Sequence, residues 1–392
     1  MHPNQICLVQ GKIYQGVYLE KKPKTEFLYL SEPDMIAAGV LDAHECVNVC
    51  EEVFSLLNAG DYLMGGPNHN SHGLGIVFPK ETKFPNMPVS GPDRRFVAMP
   101  GYLGGRFDVC GVKWYGSNQA NIQKGLPRSV LTVLLNNKDT GEPLCLMSAN
   151  LVSSARTGAV PGVAARYLVR KGSKTLAVLG CGPINKACVK AILTQIDTIE
   201  HVVCYDLFEK AAQSVADFAV AHGKTATVEP DLEKAVRDAD VVTIAASRIK
   251  PLVFKDEWLK EGCTVLTSGP IHPDEDFWLK NKIVYDNIGL HEAYVEEAVA
   301  SGDKDEYYSG VIGGPIYRLI DSGRLPALQD SIDLGGIINS GTGGRTNDTE
   351  KITFVACGMS VFDLGWAYQL YQNALSKNIG TQLALWDEPY VE

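Results

Sequence analysis

The feature that most constrains this chain is the run Thr175-Leu-Ala-Val-Leu179, which passes directly into Gly180-Cys-Gly-Pro-Ile-Asn185. The first part is a short buried strand, and the glycines mark a turn. A helix then opens at Pro183 and continues to about residue 195. The first glycine permits the tight turn, and the second lets a pyrophosphate approach the backbone. The helix N-terminus adds unpaired N–H groups and a positive dipole end. Asn185 stands where such a fingerprint usually has its third glycine. About 20 residues further on, Asp206 ends the strand 201–205, where a carboxylate accepts hydrogen bonds from an adenosine ribose. It would repel a 2′-phosphate, and its neighbours Leu207 and Phe208 offer no cation. NAD is therefore expected in preference to NADP, held by Gly180, Gly182, Pro183, Ile184, Asn185 and Asp206. Ala246 and Ser247, at the exit of a strand over 240–245, are the expected far edge of that crevice.

Strand and helix keep alternating after the fingerprint. Helices are expected at 208–222 and 231–238, and strands at 240–245, 263–267 and 282–285. That rhythm predicts a parallel sheet covered by helices on both faces. The earlier chain has a different pattern. Asp42 caps a helix whose apolar face is Cys46, Val49, Cys50, Val53 and Leu57, with Glu45 completing a capping box and Gly60 stopping it. Residues 65–100 are turn-rich, strands follow at 108–115, 129–135 and 143–147, and 136–141 reads as a hairpin turn. The tail from about residue 353 reads as helix, too apolar to face water, returning to the first unit. The expected fold is α/β: a Rossmann domain over 156–329 inserted in an α+β domain formed by 1–155 and 330–392. The first 25 residues read as a polar extension with β character at 13–19.

Composition narrows the partners. At 392 residues the chain suits two domains, and 36 Lys+Arg against 46 Asp+Glu leave a net charge of −10. An acidic chain without a basic stripe is not built for nucleic acid, and no run of 18 apolar residues is present for a membrane. The ten cysteines are scattered through apolar runs with no C-x-x-C pair, and the first residues lack a basic-then-apolar leader. Reduced thiols and a cytoplasmic location are expected. His69-Asn-Ser-His72 has no carboxylate or cysteine at supporting spacing, so it reads as loop polarity and no metal is expected. The glycine-rich segments 333–337 and 341–345 lack the Lys-Ser/Thr of a P-loop.

Several segments resemble the ornithine cyclodeaminase/mu-crystallin family: Gly111-Val-Lys-Trp-Tyr115, Gly125-Leu-Pro127, Thr140-Gly-Glu-Pro143, Ser154-Ala-Arg-Thr-Gly158 and Val178-Leu-Gly-Cys-Gly182. Gly343-Gly-Arg-Thr346 and 354–363 are similar to its closing segment, so the resemblance spans about residues 26–375. Residues 68–72, 91–95 and 113–118 further resemble a bacterial subgroup often labelled as one component of a tyramine oxidase. The resemblance implies a homodimer whose substrate-binding and dimerisation domain lends strands to a barrel shared by the two protomers, beside a Rossmann domain holding NAD(P). It implies chemistry on C–N bonds of α-amino or α-imino acids.

Carried onto this sequence, the resemblance makes Arg156 the substrate-carboxylate clamp, a role that suits its planar fork. Lys113 matches the family lysine that polarises the substrate or moves its proton, and Lys80 is a looser match to a third, arginine cation. The family's catalytic aspartate has no counterpart in Val265-Leu-Thr-Ser-Gly-Pro-Ile-His-Pro-Asp274. Ile271 falls at its place, with His272 beside it as candidate acid/base. That departure argues against ornithine cyclodeamination. The reading that follows is an NAD-dependent oxidoreductase on a small α-amino or α-imino acid. The alternatives are a cyclodeaminase-like lyase with bound NAD and a non-catalytic cofactor- or ligand-binding protein. Strand alternation puts Tyr115 on the Lys113 face and Trp114 on the other, with Met99 and Tyr102 nearby. With no anion at residue 271, the substrate's side chain is expected to be neutral or anionic.

Overall fold

The computed structural model describes residues 24–246 and 252–390, together with a backbone strand pair, Leu8–Val9 and Lys12–Ile13. Ser247 lies outside the described residues.

The alternating half builds a parallel sheet of eight strands. Its order is Thr225–Val228, His201–Tyr205, Thr175–Leu179, Val241–Ile244, Thr264–Thr267, Ile352–Val355, Lys282–Tyr285 and Ile332–Asp333. From Thr175–Leu179 the chain moves outward to one edge, then returns to the other side at Val241–Ile244. Such a reversal opens a crevice at the carboxyl ends of the strands, and the Gly180 turn sits in it. Val241–Ile244, Thr264–Thr267 and Ile352–Val355 are buried at every position, as a sheet covered on both faces requires.

Two expectations change here. Ile352–Val355 is a strand, and the closing helix begins only at Ser360. Three of those four residues are β-branched and find ladders on both sides, and Gly358 (φ 83°) breaks the run. Periodicity alone does not tell a short buried strand from a buried helix turn. Ile332–Asp333 and Ile352–Val355 also carry the parallel sheet well beyond residue 329.

The second sheet has eight strands, ordered Thr381–Trp386, Thr25–Leu30, Pro143–Ser148, Ser129–Asn137, Val109–Ser117, Arg95–Leu103 and Tyr62–Met64, with Leu74–Val77 also pairing to Arg95–Leu103. Only the Thr25–Leu30/Pro143–Ser148 pair is parallel. The hairpin over 129–148 forms as expected. So does the helix Ala43–Ala59: Asp42 Oδ1 accepts from the Glu45 N–H at 3.0 Å, and Gly60 (φ 78°) ends it.

Two helices join the sheets, and glycines let them approach. Ser360–Lys377 lies on the inner face of the mixed sheet, where a Cβ on Gly111 would stand 2.8 Å from Leu364 Cδ2. Asn150–Leu168 packs on Pro183–Gln195, where a Cβ on Gly158 would meet the Ala187 carbonyl carbon at 2.5 Å. Backbone cannot yield there as a flexible side chain can. Gly158→Ala is expected to cost about 1–3 kcal/mol of stability through overpacking. A lowered urea midpoint with unchanged slope checks this, and an unchanged midpoint refutes it.

Candidate active site

The crevice comes first. Gly180 has φ 83°, and a Cβ there would lie 2.8 Å from Ala246 Cα, so this turn accepts no other residue. Gly182 caps the helix Pro183–Gln195 without any side-chain cap, and nothing lies within 4 Å of where its Cβ would be. Open space therefore stands over unpaired N–H groups. Pro183 is exposed at the lip, and Ile184 packs partly against the core. Asp206 sits at the neighbouring strand end, its Oδ2 accepting from the Cys181 N–H at 2.7 Å and its Oδ1 from the Phe208 N–H at 2.9 Å. These features fit a dinucleotide. Asn185 differs from expectation: its side chain is fully buried and turned into the sheet. Its Nδ2 donates to the carbonyls of Leu179 (3.0 Å) and Gly180 (2.7 Å), and its Oδ1 accepts from Thr243 Oγ1 at 2.8 Å. An amide that ties two strand ends replaces the close packing a third glycine would allow.

A buried charge cluster lies where the two sheets meet. Lys113 comes from the middle of Val109–Ser117, Arg156 from the helix Asn150–Leu168, and Asp363 from the first turn of Ser360–Lys377. Their exposures are 3%, 6% and 0%. Lys113 Nζ is 2.8 Å from Asp363 Oδ2, and Arg156 Nε is 3.1 Å from the same oxygen, without hydrogen-bond alignment. Among the described residues no hydrogen bond reaches Arg156 Nη1 or Nη2, and Asp363 Oδ1 is buried without a partner. Burial lowers the Lys113 pKa to about 8, Asp363 opposing that shift and Arg156 adding to it. Tyr115 shares this face, its ring centroid 5.9 Å from Lys113 Nζ, whereas Trp114 points to the opposite, exposed face. Met99 faces Lys113 across the strands and is buried, while Tyr102 donates to Asp108 in an exposed bond away from the cluster.

His72 joins the same cluster. Its Nδ1 is 2.8 Å from the Gly358 carbonyl oxygen, and a Cβ on Gly358 would lie 3.5 Å from Arg156 Nη1 and 3.9 Å from His72 Cε1. Burial lowers the His72 pKa to about 4, the charges of Lys113 and Arg156 acting in the same direction. The imidazole is therefore neutral at pH 7. A buried clamp fixes the Gly358 turn: Asp286 Oδ2 accepts from the N–H groups of Cys357 (2.7 Å) and Gly358 (3.3 Å). Asp286 Oδ1 pairs with His291 Nε2 at 3.0 Å, and His291 Nδ1 with Tyr317 Oη at 2.7 Å.

Not every expected residue reaches this place. Lys80 is exposed, and it follows Val77, which pairs with Arg95 at the far end of the strand from Met99 and Lys113. Four residues of strand separate those points, about 13 Å. His72, eight positions earlier, is the side chain that enters. His272 is exposed on a two-stranded ribbon, paired with Val253, and among the described residues its side chain has no hydrogen-bond partner. Ile271 is buried with Leu252, Phe254 and Phe277 in the core beneath the parallel sheet. Its side chain is 3% exposed and packs into that core, so residue 271 supplies no independent ground for the charge of the substrate's side chain. This loop folds as a ribbon with Leu252–Phe254. Sequence reasoning gives Asp363 no role, although a lone carboxylate in the apolar run 354–367 signals a buried cation.

The sequence model of the ornithine cyclodeaminase/mu-crystallin family matches residues 40–378. The chain is 34% identical over 291 residues to the alanine dehydrogenase of Archaeoglobus fulgidus, covering 73% of this chain and 82% of that protein. It is 30% identical over 299 residues to the Delta(1)-pyrroline-2-carboxylate reductase of Bacillus cereus, covering 76% and 87%. In three dimensions it resembles an archaeal alanine dehydrogenase dimer with bound NAD, with a TM-score of 0.73 at 29% identity, over 92% of this chain and 100% of that one. Sequence and fold together make this chain a member of the ornithine cyclodeaminase/mu-crystallin family.

Proposed function

We propose that this protein is an NAD-dependent oxidoreductase acting on the C–N bond of a small α-amino or α-imino acid. The observation that carries the reading is the shared carboxylate. Two buried cations, Lys113 and Arg156, have one buried anion, Asp363, between them. A buried charge without a counter-ion is costly, and a substrate carboxylate against the free Nη edge of Arg156 restores the balance. The alanine dehydrogenase and the pyrroline carboxylate reductase named above support the same class of chemistry.

When bound, NAD(H) supplies or takes up the hydride at the α-carbon. The chain's own residues do the rest. Arg156 fixes the carboxylate and hence the orientation of that carbon. Lys113, with its pKa lowered to about 8, gives a proton to the substrate nitrogen in reduction and takes one in oxidation. One hydride and one proton across C=N yield CH–NH, so the step balances. Asp363 holds Lys113 and is not consumed.

In this reading residues of the parallel sheet form the dinucleotide-binding unit, and the mixed sheet with the closing helix forms the substrate-binding and dimerisation unit. A homodimer would cover the outer face of the mixed sheet, where Ile76, Phe96, Trp114 and Val130 are exposed. A cytoplasmic location agrees with the nine free cysteines of the described residues. Among those residues no helix is long and apolar enough to cross a membrane. The relatives named above lend no support to the tyramine oxidase label.

Stoichiometry tests the reaction. Net NADH change with an amino acid, or with a cyclic imine, is expected, whereas ammonia release without it would mean a cyclodeaminase. Arg156→Ala is expected to lower kcat/KM for a carboxylate substrate on the order of 10²-fold or more, and unchanged kinetics refutes the clamp. The rate of reduction should fall as pH rises through about 8, because Lys113 loses its proton there. A profile that stays flat through that pH removes Lys113 as the proton donor. Equilibrium titration should give tighter binding of NADH than of NADPH, with Asp206→Ala narrowing the gap; NADPH binding the tighter would mean that Asp206 does not meet the ribose.

A further inference from the structure

His72 has no task in the mechanism above. Its tautomer is fixed by its surroundings. A carbonyl oxygen only accepts, so the 2.8 Å contact with Gly358 requires that Nδ1 carry the hydrogen. In a neutral ring, Nε2 is then a bare acceptor. The Gly358 carbonyl is itself immobilised, because Asp286 holds the N–H groups of Cys357 and Gly358. Tyr294 lies alongside the ring, with centroids 6.4 Å apart and planes 28° apart. Among the described residues no hydrogen bond reaches His72 Nε2, and the side chain is half-buried rather than sealed.

The neighbours make this acceptor distinctive. Arg156, which abuts the same position of Gly358 as His72, is a donor only, protonated Lys113 is another, and the Asp363 carboxylate is fully enclosed. A site of donors alone would suit a 2-oxo acid better than an iminium, since a carbonyl oxygen only accepts. A nitrogen that has taken up a proton is different: its N–H must find an acceptor or remain unsatisfied, at a cost.

We propose that His72 Nε2 accepts a hydrogen bond from the substrate's N–H and thereby selects iminium carboxylates over the corresponding 2-oxo acids. The proposal rests on the functional reading above and narrows it. The neutral state of the ring suits the task, since a charged imidazolium would have no lone pair to offer and would repel an iminium.

The test uses two planar ligands of nearly one shape, pyrrole-2-carboxylate, which presents N–H, and furan-2-carboxylate, which presents oxygen. Each is titrated calorimetrically into the protein at pH 7 with saturating NADH. Wild type is expected to prefer the pyrrole by about tenfold, the worth of one hydrogen bond in a desolvated site. His72→Asn keeps a side-chain N–H at the Nδ1 position for Gly358 and removes the Nε2 acceptor, so the preference should fall to near one with little change in melting temperature. His72→Leu, which removes both groups, should lose the preference as well. Wild type that binds the two alike, or binds neither, overturns the proposal, as does a His72→Asn protein that keeps the tenfold preference. The titration follows no turnover, so its failure is distinguishable from failure of the NADH assay.

Discussion

Everything at this site hangs on one buried carboxylate. Asp363 is fully enclosed, and the ammonium and guanidinium that meet its Oδ2 come from a strand and a helix far apart in the chain. Two cations would not share such a space without it. Stripping a buried ion pair of one partner typically costs about 3–5 kcal/mol, because the other charge is left in low dielectric. One anion is enough to let the pair be buried but too few to neutralise it. In the proposed function a substrate carboxylate fills that deficit; the same balance sets Lys113, since burial and Arg156 push its pKa down and Asp363 opposes them.

Asp363 reaches its place because the mixed sheet lacks side chains where its helix must sit. Gly101 and Gly111 leave room for Leu364, since a Cβ on either would meet that side chain at 3.2 or 2.8 Å. Gly365 allows the other side of the helix to approach Val53, where an added Cβ would stand at 2.7 Å. A glycine weakens a strand or helix by itself. Here that local weakness is offset by a packing distance that brings a carboxylate within 2.8 Å of a strand lysine. Arg156 benefits from the same device, since Gly158, two residues on, lets its helix lie on the helix that follows the dinucleotide turn.

Local pattern carried most of the fold. Strands 175–179 and 201–205, the glycine turn and the capped helix after Asp42 all follow from nearest-neighbour rules, and all form. Lys113 and Arg156 were legible through resemblance, and they do meet. What stayed hidden depends on distant pairing. Ile352–Val355 is a strand only because the strands Thr264–Thr267 and Lys282–Tyr285 flank it. His72 sits among polar loop residues and looks like any of them, and only the Gly358 turn, 286 positions later, makes it part of the site. Lys80 and His272 differ in the opposite direction, since both are exposed. Both residues have the right chemistry near the right motif, and the backbone carries both elsewhere.

The segment 352–363 explains how cofactor and substrate groups keep a fixed relation. It enters as a strand of the parallel sheet, turns at Gly358, and leaves as the helix that carries Asp363 into the mixed sheet. Along those twelve residues the chain passes from the sheet that bears the dinucleotide crevice to the counter-ion of Lys113 and Arg156. The clamp of Tyr317, His291 and Asp286 grips the middle of the segment from the parallel-sheet side, and His72 and Arg156 abut it from the other. Hydride transfer tolerates little error in the distance and angle between donor and acceptor carbon, so a hinge between the two sheets would be costly to catalysis. Here the turn is held by hydrogen bonds from buried groups rather than by loop contacts. Preorganisation of this site is thus a property of one short peptide and of what grips it on either side.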